Sequence, residues 1–176
     1  TISNMTYSES REQIRKYINS FAKFTRYMLQ TASDMTSIEN ELNHIRNYIE
    51  LQKRKTATQI ELNIYCEEAV KNVEIPFLML YSLVENSIKH SLNATQNKLI
   101  KIECKRYETA DFKGVIISEE DNGKGFAEER LEQLMSNSME SDFTKEHLGL
   151  TNVKYTLNLL YKRQDLLHIS NNIEGG

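Results

Sequence analysis

The chain has 176 residues, of which 27% are charged, and a formal net charge of −3 at pH 7. This length buries a substantial core and predicts one domain, or one domain with an appendage. The small net charge predicts binding to neither nucleic acid nor a membrane surface, and no apolar run approaches the ~18 residues that a spanning helix needs. Cys66 and Cys104 lack metal-ligand spacing, so we expect reduced thiols on strands of a cytosolic protein.

Two helices are predicted before residue 55. Residues 10–13 (Ser-Arg-Glu-Gln) form a capping-box pattern, and the helix that follows has apolar residues at positions 14, 17, 18, 21, 24 and 28. Residues 36–39 (Thr-Ser-Ile-Glu) repeat the pattern before an apolar stripe at positions 38, 42, 45 and 49. The short polar break between them predicts an antiparallel hairpin. Its apolar stripe needs a cover, either a second copy in a four-helix bundle or the domain that follows.

From residue 59 the pattern becomes that of a mixed fold. Alternating apolar residues predict strands at 60–65 and 99–104, and an apolar run predicts another at 115–117. Helices are predicted from Pro76 to residue 91, at 127–135 and at 148–161, with a last strand at 166–170. The expected fold class is α+β, a two-layer α/β sandwich in which helices cover one face of a mixed sheet. We therefore divide the chain into a helical hairpin at 1–55 and an α/β domain at 56–176.

The helix around residues 81–91 has two different faces. Its apolar stripe comprises Phe77, Tyr81, Val84 and Ile88. The polar face comprises Ser82, Glu85, Asn86, Lys89 and Asn93. A carboxylate, a carboxamide and an ammonium on one face suit a metal-bound polyphosphate, because oxygens bind Mg²⁺ and a cation faces phosphate oxygens. The alternative is the solvated face of an ordinary amphipathic helix.

Residues 121–126 (Asp-Asn-Gly-Lys-Gly-Phe) follow the apolar run at 115–117. A strand that ends in an acid and two glycines predicts a sharp turn where backbone approaches another group closely. Asp121 can accept a hydrogen bond from an exocyclic amine, while the glycines leave room for a flat ring. Asp-Asn-Gly is also a common turn sequence, which is the alternative explanation.

Three segments together resemble the N, G1 and G2 boxes of the Bergerat-fold ATPases, which include gyrase-type, Hsp90-type and histidine-kinase ATP domains. These segments are residues 84–90 (Val-Glu-Asn-Ser-Ile-Lys-His), 121–126 and 148–153 (Leu-Gly-Leu-Thr-Asn-Val). Further segments resemble the LytS/YesM-like sensor histidine kinases. They are residues 24–29 (Phe-Thr-Arg-Tyr-Met-Leu), 41–52 (Glu-Leu-Asn-His-Ile-Arg-Asn-Tyr-Ile-Glu-Leu-Gln) and 75–80 (Ile-Pro-Phe-Leu-Met-Leu). The resemblance covers about residues 1–176.

The resemblance assigns roles to the boxes. It implies that Asp121 receives the adenine amine, and we expect this because a buried carboxylate with no cation nearby needs a donor. It implies that Asn86 binds Mg²⁺ and that Lys89 and His90 lie near the phosphates. The implied ATP-binding residues are Ser82, Asn86, Lys89, His90, Asp121, Gly123, Gly125, Leu148 and Gly149. The implied catalytic residues are Glu85, Lys89 and His90.

Several positions keep two interpretations. Glu85 either positions water or the metal, or is a plain polar contact. His147 replaces a glycine usual in the family, and it either contacts a phosphate or is an exposed loop histidine. Residues 128–146 correspond to the family's lid over the nucleotide. His44 lacks the surroundings of a phosphorylated histidine, so we interpret it as structural.

The resemblance implies the catalytic region of a bacterial sensor histidine kinase. Such a protein transfers the γ-phosphoryl of ATP to a histidine for relay to a response regulator receiver domain, as a homodimer through the hairpin. The chain would be a cytoplasmic part of a membrane-anchored protein. The family's phosphorylated histidine precedes residue 1 and a last strand follows residue 176, so we expect Mg·ATP binding without self-phosphorylation.

Three other functions stay open. One is a Bergerat-fold ATPase that uses Glu85 as a base, and another is a serine kinase of the anti-sigma type. Both lack a helical hairpin of this form. The third is a pseudokinase module that binds nucleotide without catalysis. Such a module would be indicated by other residues in place of Asn86 or Asp121, and both residues are present.

Overall fold

The computed structural model describes residues 10–29, 34–54, 59–91, 97–110, 112–135 and 148–172. The helices are α1 (Arg11–Met28), α2 (Ile38–Lys53), α3 (Met79–Ser91), α4 (Glu128–Met135) and α5 (Leu148–Tyr161). The strands are β1 (Met35–Ser37), β2 (Ile60–Cys66), β3 (Glu74–Pro76), β4 (Lys98–Glu108) and β5 (Lys113–Asp121). Among the helices described, none combines the length and apolarity that crossing a membrane requires.

The main sheet has the order β2-β4-β5. Strand β2 pairs with β4 in parallel, and β5 pairs with β4 in the antiparallel direction, so the sheet is mixed as predicted. Along β4 the side chains alternate in burial, with Ile100, Ile102 and Cys104 facing the core. In the antiparallel register, Asp121 at the end of β5 lies opposite Ile100. Strands β1 and β3 form a separate two-stranded ribbon.

The N-terminal helices form the predicted antiparallel hairpin. Tyr17 near the start of α1 packs on Leu51 near the end of α2, whereas Tyr27 at the end of α1 bonds Glu41 at the start of α2. The capping box of Ser10 is confirmed, since its hydroxyl accepts from the backbone of residue 13 at 3.3 Å.

The second capping box is wrong by one residue. The N-cap of α2 is Ser37, whose hydroxyl accepts from the backbone N–H of Asn40 at 3.2 Å. Thr36 instead pairs with Ile75 in the small ribbon. Because β1 runs directly into α2, the strand fixes where the helix begins.

The apolar stripe of α2 lies in the main core. It packs with α3 and with the inner face of β4 in one buried cluster, whose α2 members are Ile38, Leu42, Ile45, Tyr48 and Ile49. The α/β layer of the same chain therefore covers α2, which was the alternative to a second copy. The apolar residues left exposed on the hairpin lie on α1, where Ile18 is 46% and Phe21 48% exposed.

Two other local predictions are wrong. Pro76 ends β3, and α3 begins only at Met79, after Leu78 adopts a φ of 61°. Residues 166–170 form no strand. The run at 115–117 does lie in a strand, β5, with Ile116 54% exposed on the outer face of the sheet. The predicted lid beyond residue 135, His147 and Asn93 lie outside the described residues.

Candidate functional site

Helix α3 lies on the inner face of the sheet, against β4 and the end of β5. The hydroxyl of Ser87 donates to Glu119 Oε1 at 2.8 Å, and Ser87 is buried at this contact. Glu119 precedes Asp121 by two residues on β5, so both side chains lie on the same face of that strand. The polar helix and the acid of the turn, which are far apart in sequence, are therefore neighbours.

Asp121 has a cation beside it. The Nζ of Lys98 lies 3.3 Å from Asp121 Oδ1, and the backbone N–H of Gly123 donates to the same oxygen at 2.7 Å. Our expectation of a carboxylate with no cation nearby is therefore wrong. The cause is the sheet register, because Lys98 precedes Ile100 by two residues on β4 and Ile100 lies opposite Asp121.

Glu119 adds a second carboxyl to this group. Burial raises its pKa to about 7, with a further increase from the charge of Asp121, while the bond from Ser87 and the charge of Lys98 act in the opposite direction. One buried ammonium thus lies among two carboxyl groups. Near neutral pH, part of the Glu119 population carries a proton.

The turn after Asp121 is fixed at both ends. The side chain of Asn122 accepts from the N–H of Leu99 at 2.8 Å and donates to the carbonyl of Asn97 at 2.9 Å. The side chain of Asn171 makes two bonds of 2.8 Å with the backbone of Phe126. Gly125 has a φ of +68°, and a Cβ there would lie 2.7 Å from Asn171 Oδ1. The second glycine of the turn is therefore required for both conformation and space.

The polar face of α3 is already paired within itself. Glu85 Oε1 accepts from the hydroxyl of Tyr81 at 3.2 Å and lies 3.1 Å from the Nζ of Lys89. The Lys89 side chain is 60% exposed, so this ion pair is worth little and Lys89 can exchange partners. Asn86 is half-buried on the same helix.

The start of α5 lies beside this face. A Cβ at Gly149 would lie 3.6 Å from the carbonyl oxygen of Ser82, while the Ser82 hydroxyl donates to Leu78 in the preceding turn. The helix of the N segment thus lies beside the end of β5, where Ser87 bonds Glu119, and beside the start of α5, where Gly149 approaches Ser82. The side chains of His90 and Leu148 lie outside the described residues.

The N-terminus of α3 is capped from the hairpin. Glu41 of α2 is fully buried, and its carboxylate accepts from the backbone N–H groups of Leu78 at 2.9 Å and Tyr81 at 3.3 Å. It also accepts from the Tyr27 hydroxyl of α1 at 2.6 Å. Burial raises the pKa of Glu41. An acid at a helix N-terminus satisfies otherwise unpaired N–H groups, so Glu41 sets the position of α3.

His44 lies in an aromatic cluster where α1, α2 and α3 meet. Its ring stacks on Phe24 at 4.8 Å and on Tyr27 at 4.2 Å, measured between ring centroids. Burial lowers the pKa of His44 to about 4, so the ring is neutral at physiological pH. It is a core residue rather than an exposed phosphate acceptor.

The sequence interpretation missed Lys98, Glu119 and Glu41, although each carries a local signal. Lys98 lies two residues before the buried Ile100, so both side chains lie on the same face of β4. Glu119 likewise lies two residues after Ile117 and on the same face of β5. Glu41 lies within the apolar stripe of α2. A charged residue at an inward position indicates a buried partner.

Comparison with known proteins agrees with this geometry. Residues 1–60 match the family described as histidine kinase, and residues 71–171 match the one described as histidine kinase-, DNA gyrase B-, and HSP90-like ATPase. The sensor protein LytS of Bacillus anthracis is 31% identical over 94% of this chain and 28% of its own length. The sensor histidine kinase/phosphatase LytS of Staphylococcus aureus is 30% identical over 74% of this chain and 22% of its own. The chain thus spans less than a third of these relatives.

Proposed function

Because the chain belongs to the family of histidine kinase-, DNA gyrase B- and HSP90-like ATPases, we propose that it is the ATP-binding catalytic region of a sensor histidine kinase. The γ-phosphoryl of ATP goes to a histidine, and a response regulator receiver domain then takes it. The contact between α3 and the end of β5 carries this proposal, because Ser87 bonds Glu119 beside Asp121. One ligand can therefore touch both boxes.

In this proposal Asp121 anchors the base. Its Oδ1 accepts from Lys98 and Gly123, which leaves Oδ2 to accept from the adenine amine. Because a buried hydrogen bond that is lost leaves an unpaired polar group, a carboxylate here discriminates against bases without the amine.

The polar face of α3 would hold the phosphates. Asn86 and Glu85 offer an amide and a carboxylate oxygen, which fit Mg²⁺, a cation that takes few protein ligands. Mg²⁺ bound with ATP would neutralise phosphate charge. Lys89 leaves Glu85 for a phosphate oxygen, which costs little because their ion pair is exposed. Both interpretations of Glu85 stay open, positioning of water or the metal and a plain polar contact. The bond from the Tyr81 hydroxyl holds its carboxylate in place, which supports the positioning role.

The packing of the hairpin bears on the domains and on the dimer. Because α2 shares its core with α3 and β4, the helical hairpin that we propose at 1–55 packs directly on the ATP-binding domain that we propose at 56–176. The exposed Ile18 and Phe21 support a homodimer through α1. A cytoplasmic location and a membrane anchor elsewhere in the full protein stay predictions.

The test is calorimetric titration with ATP, with and without Mg²⁺. Asp121→Ala should weaken binding at least tenfold in both conditions, whereas Asn86→Ala should weaken only the Mg²⁺-dependent part. Asp121→Asn keeps the side-chain shape and replaces the alanine variant if that variant unfolds. Asp165→Ala, which removes an exposed carboxylate bonded to Arg163, is the matched control and should bind normally. Unchanged affinity in both Asp121 variants would refute the adenine assignment.

A further inference from the structure

Lys98 is a buried ammonium at the proposed base site. The residue is 5% exposed, although lysine is rarely buried without a specific partner. Its partner is Asp121, 3.3 Å away, on the neighbouring strand of the sheet. The pair therefore sits on the inner face of the sheet, the same face on which α3 lies.

Among the contacts with described residues, the pair keeps hydrogen-bonding capacity on both sides. Both contacts that described residues make with Asp121 use Oδ1, so Oδ2 can accept from a ligand. A lysine ammonium carries three hydrogens, and Asp121 accepts one of them. The site thus presents an acceptor and a donor side by side.

Adenine has the complementary pattern on its Watson–Crick edge, where the amine is a donor and the adjacent N1 is an acceptor. We propose that Lys98 donates to N1 of adenine while Asp121 accepts from the amine, so that two residues read the base. This inference rests on the proposed ATP site. Guanine and hypoxanthine present a carbonyl oxygen and an N1–H in the reverse order, which aligns acceptor with acceptor and donor with donor.

The competing explanation is that Lys98 only balances the charge of Asp121. The two explanations differ in one atom of the ligand, because only base reading requires a nitrogen acceptor at position 1. Nucleotide analogues can therefore separate them on the unaltered protein, without the risk that a variant fails to fold.

The experiment compares the affinities of the chain for ATP, 1-deaza-ATP and purine riboside triphosphate. The first analogue replaces N1 by C–H, and the second lacks the amine but keeps N1. We expect each analogue to bind about tenfold or more weakly than ATP, because each removes one hydrogen bond between the base and the Lys98–Asp121 pair and covers the freed group without replacing that bond. Lys98→Met should bind ATP and 1-deaza-ATP equally. Lys98→Arg keeps the charge and the donors, so it should restore part of the preference for ATP over 1-deaza-ATP.

The outcomes distinguish failure of the Lys98 assignment from failure of the proposed ATP site. Weak binding of purine riboside triphosphate together with equal binding of ATP and 1-deaza-ATP would overturn the role of Lys98 and leave the adenine site intact. No binding of ATP at all would overturn the proposed function and this inference with it. A loss for 1-deaza-ATP that persists in Lys98→Met would also refute the assignment, since another group would then read N1.

Discussion

Removal of Glu41 tests whether the hairpin positions the nucleotide helix. In Glu41→Ala several donors lose their acceptor, among them the Tyr27 hydroxyl and the N–H groups of Leu78 and Tyr81. In Glu41→Gln the amide oxygen can keep the bonds at Oε1, which are those of Tyr27 and Leu78. The bond of 3.3 Å from Tyr81 to Oε2 then faces an NH₂ group.

The magnitudes follow from the burial of these groups. A buried donor left without a partner costs about 1–3 kcal/mol, and loss of a helix cap costs about 0.5–2 kcal/mol. Both variants also remove the cost of burying the carboxylate, which is what raises the pKa of Glu41. We therefore expect Glu41→Ala to lower the free energy of unfolding by about 3–5 kcal/mol, and Glu41→Gln by about 1–2 kcal/mol.

Urea unfolding followed by far-UV circular dichroism measures these changes, since the chain has no tryptophan. Glu50→Ala on the same helix is the control. Its carboxylate is exposed and pairs with Lys53, so its loss should change stability by less than about 0.5 kcal/mol. If Glu41→Ala were no more destabilising than Glu50→Ala, the capping argument would be wrong.

Two further predictions concern β5 and its turn. The pKa of Glu119 is raised from 4.5 to about 7, so its contribution to stability is complete below pH 4.5 and is lost as the pH rises through 7. Between these pH values, the free energy of unfolding of the wild type should therefore fall by on the order of 3 kcal/mol more than that of Glu119→Gln, as measured by urea unfolding. If the two proteins showed the same dependence on pH, the burial argument would be contradicted. Gly125→Ala should lower the free energy of unfolding by about 1–3 kcal/mol because of its positive φ and the contact with Asn171. The same change should cost less in an Asn171→Ala background, and equal costs in both would show that contact to be unimportant.

Local patterns predicted much of the fold because most elements here follow a simple periodicity. The alternation in β2 and β4 and the apolar stripe of α2 identified buried faces correctly. The start of α3 could not be predicted in this way. Pro76 suits a first helical turn, yet pairing of β3 with β1 and the cap from Glu41 delay the helix until Met79. These are tertiary contacts that no local pattern contains.

In the candidate site, too, short motifs pointed to some residues, whereas others are apparent only from tertiary contacts. The resemblance pointed to Asp121 and the polar face of α3 as candidate site residues from short motifs. It could not reveal Lys98, because that contact depends on the register between β4 and β5. The expectation of an isolated carboxylate failed for this reason. The alternation of β4 indicates that Lys98 points towards the core. Only the pairing of β4 with β5 shows which acid it contacts.

A titration of the isotope-labelled chain with Mg·ATP, followed by backbone amide NMR, tests the central claim most directly. If the end of β5 and α3 form one pocket, amide shifts should change together at residues 121–126 and along residues 82–89, with the same dissociation constant. Shifts confined to one of these segments, or two different constants, would contradict a single nucleotide site.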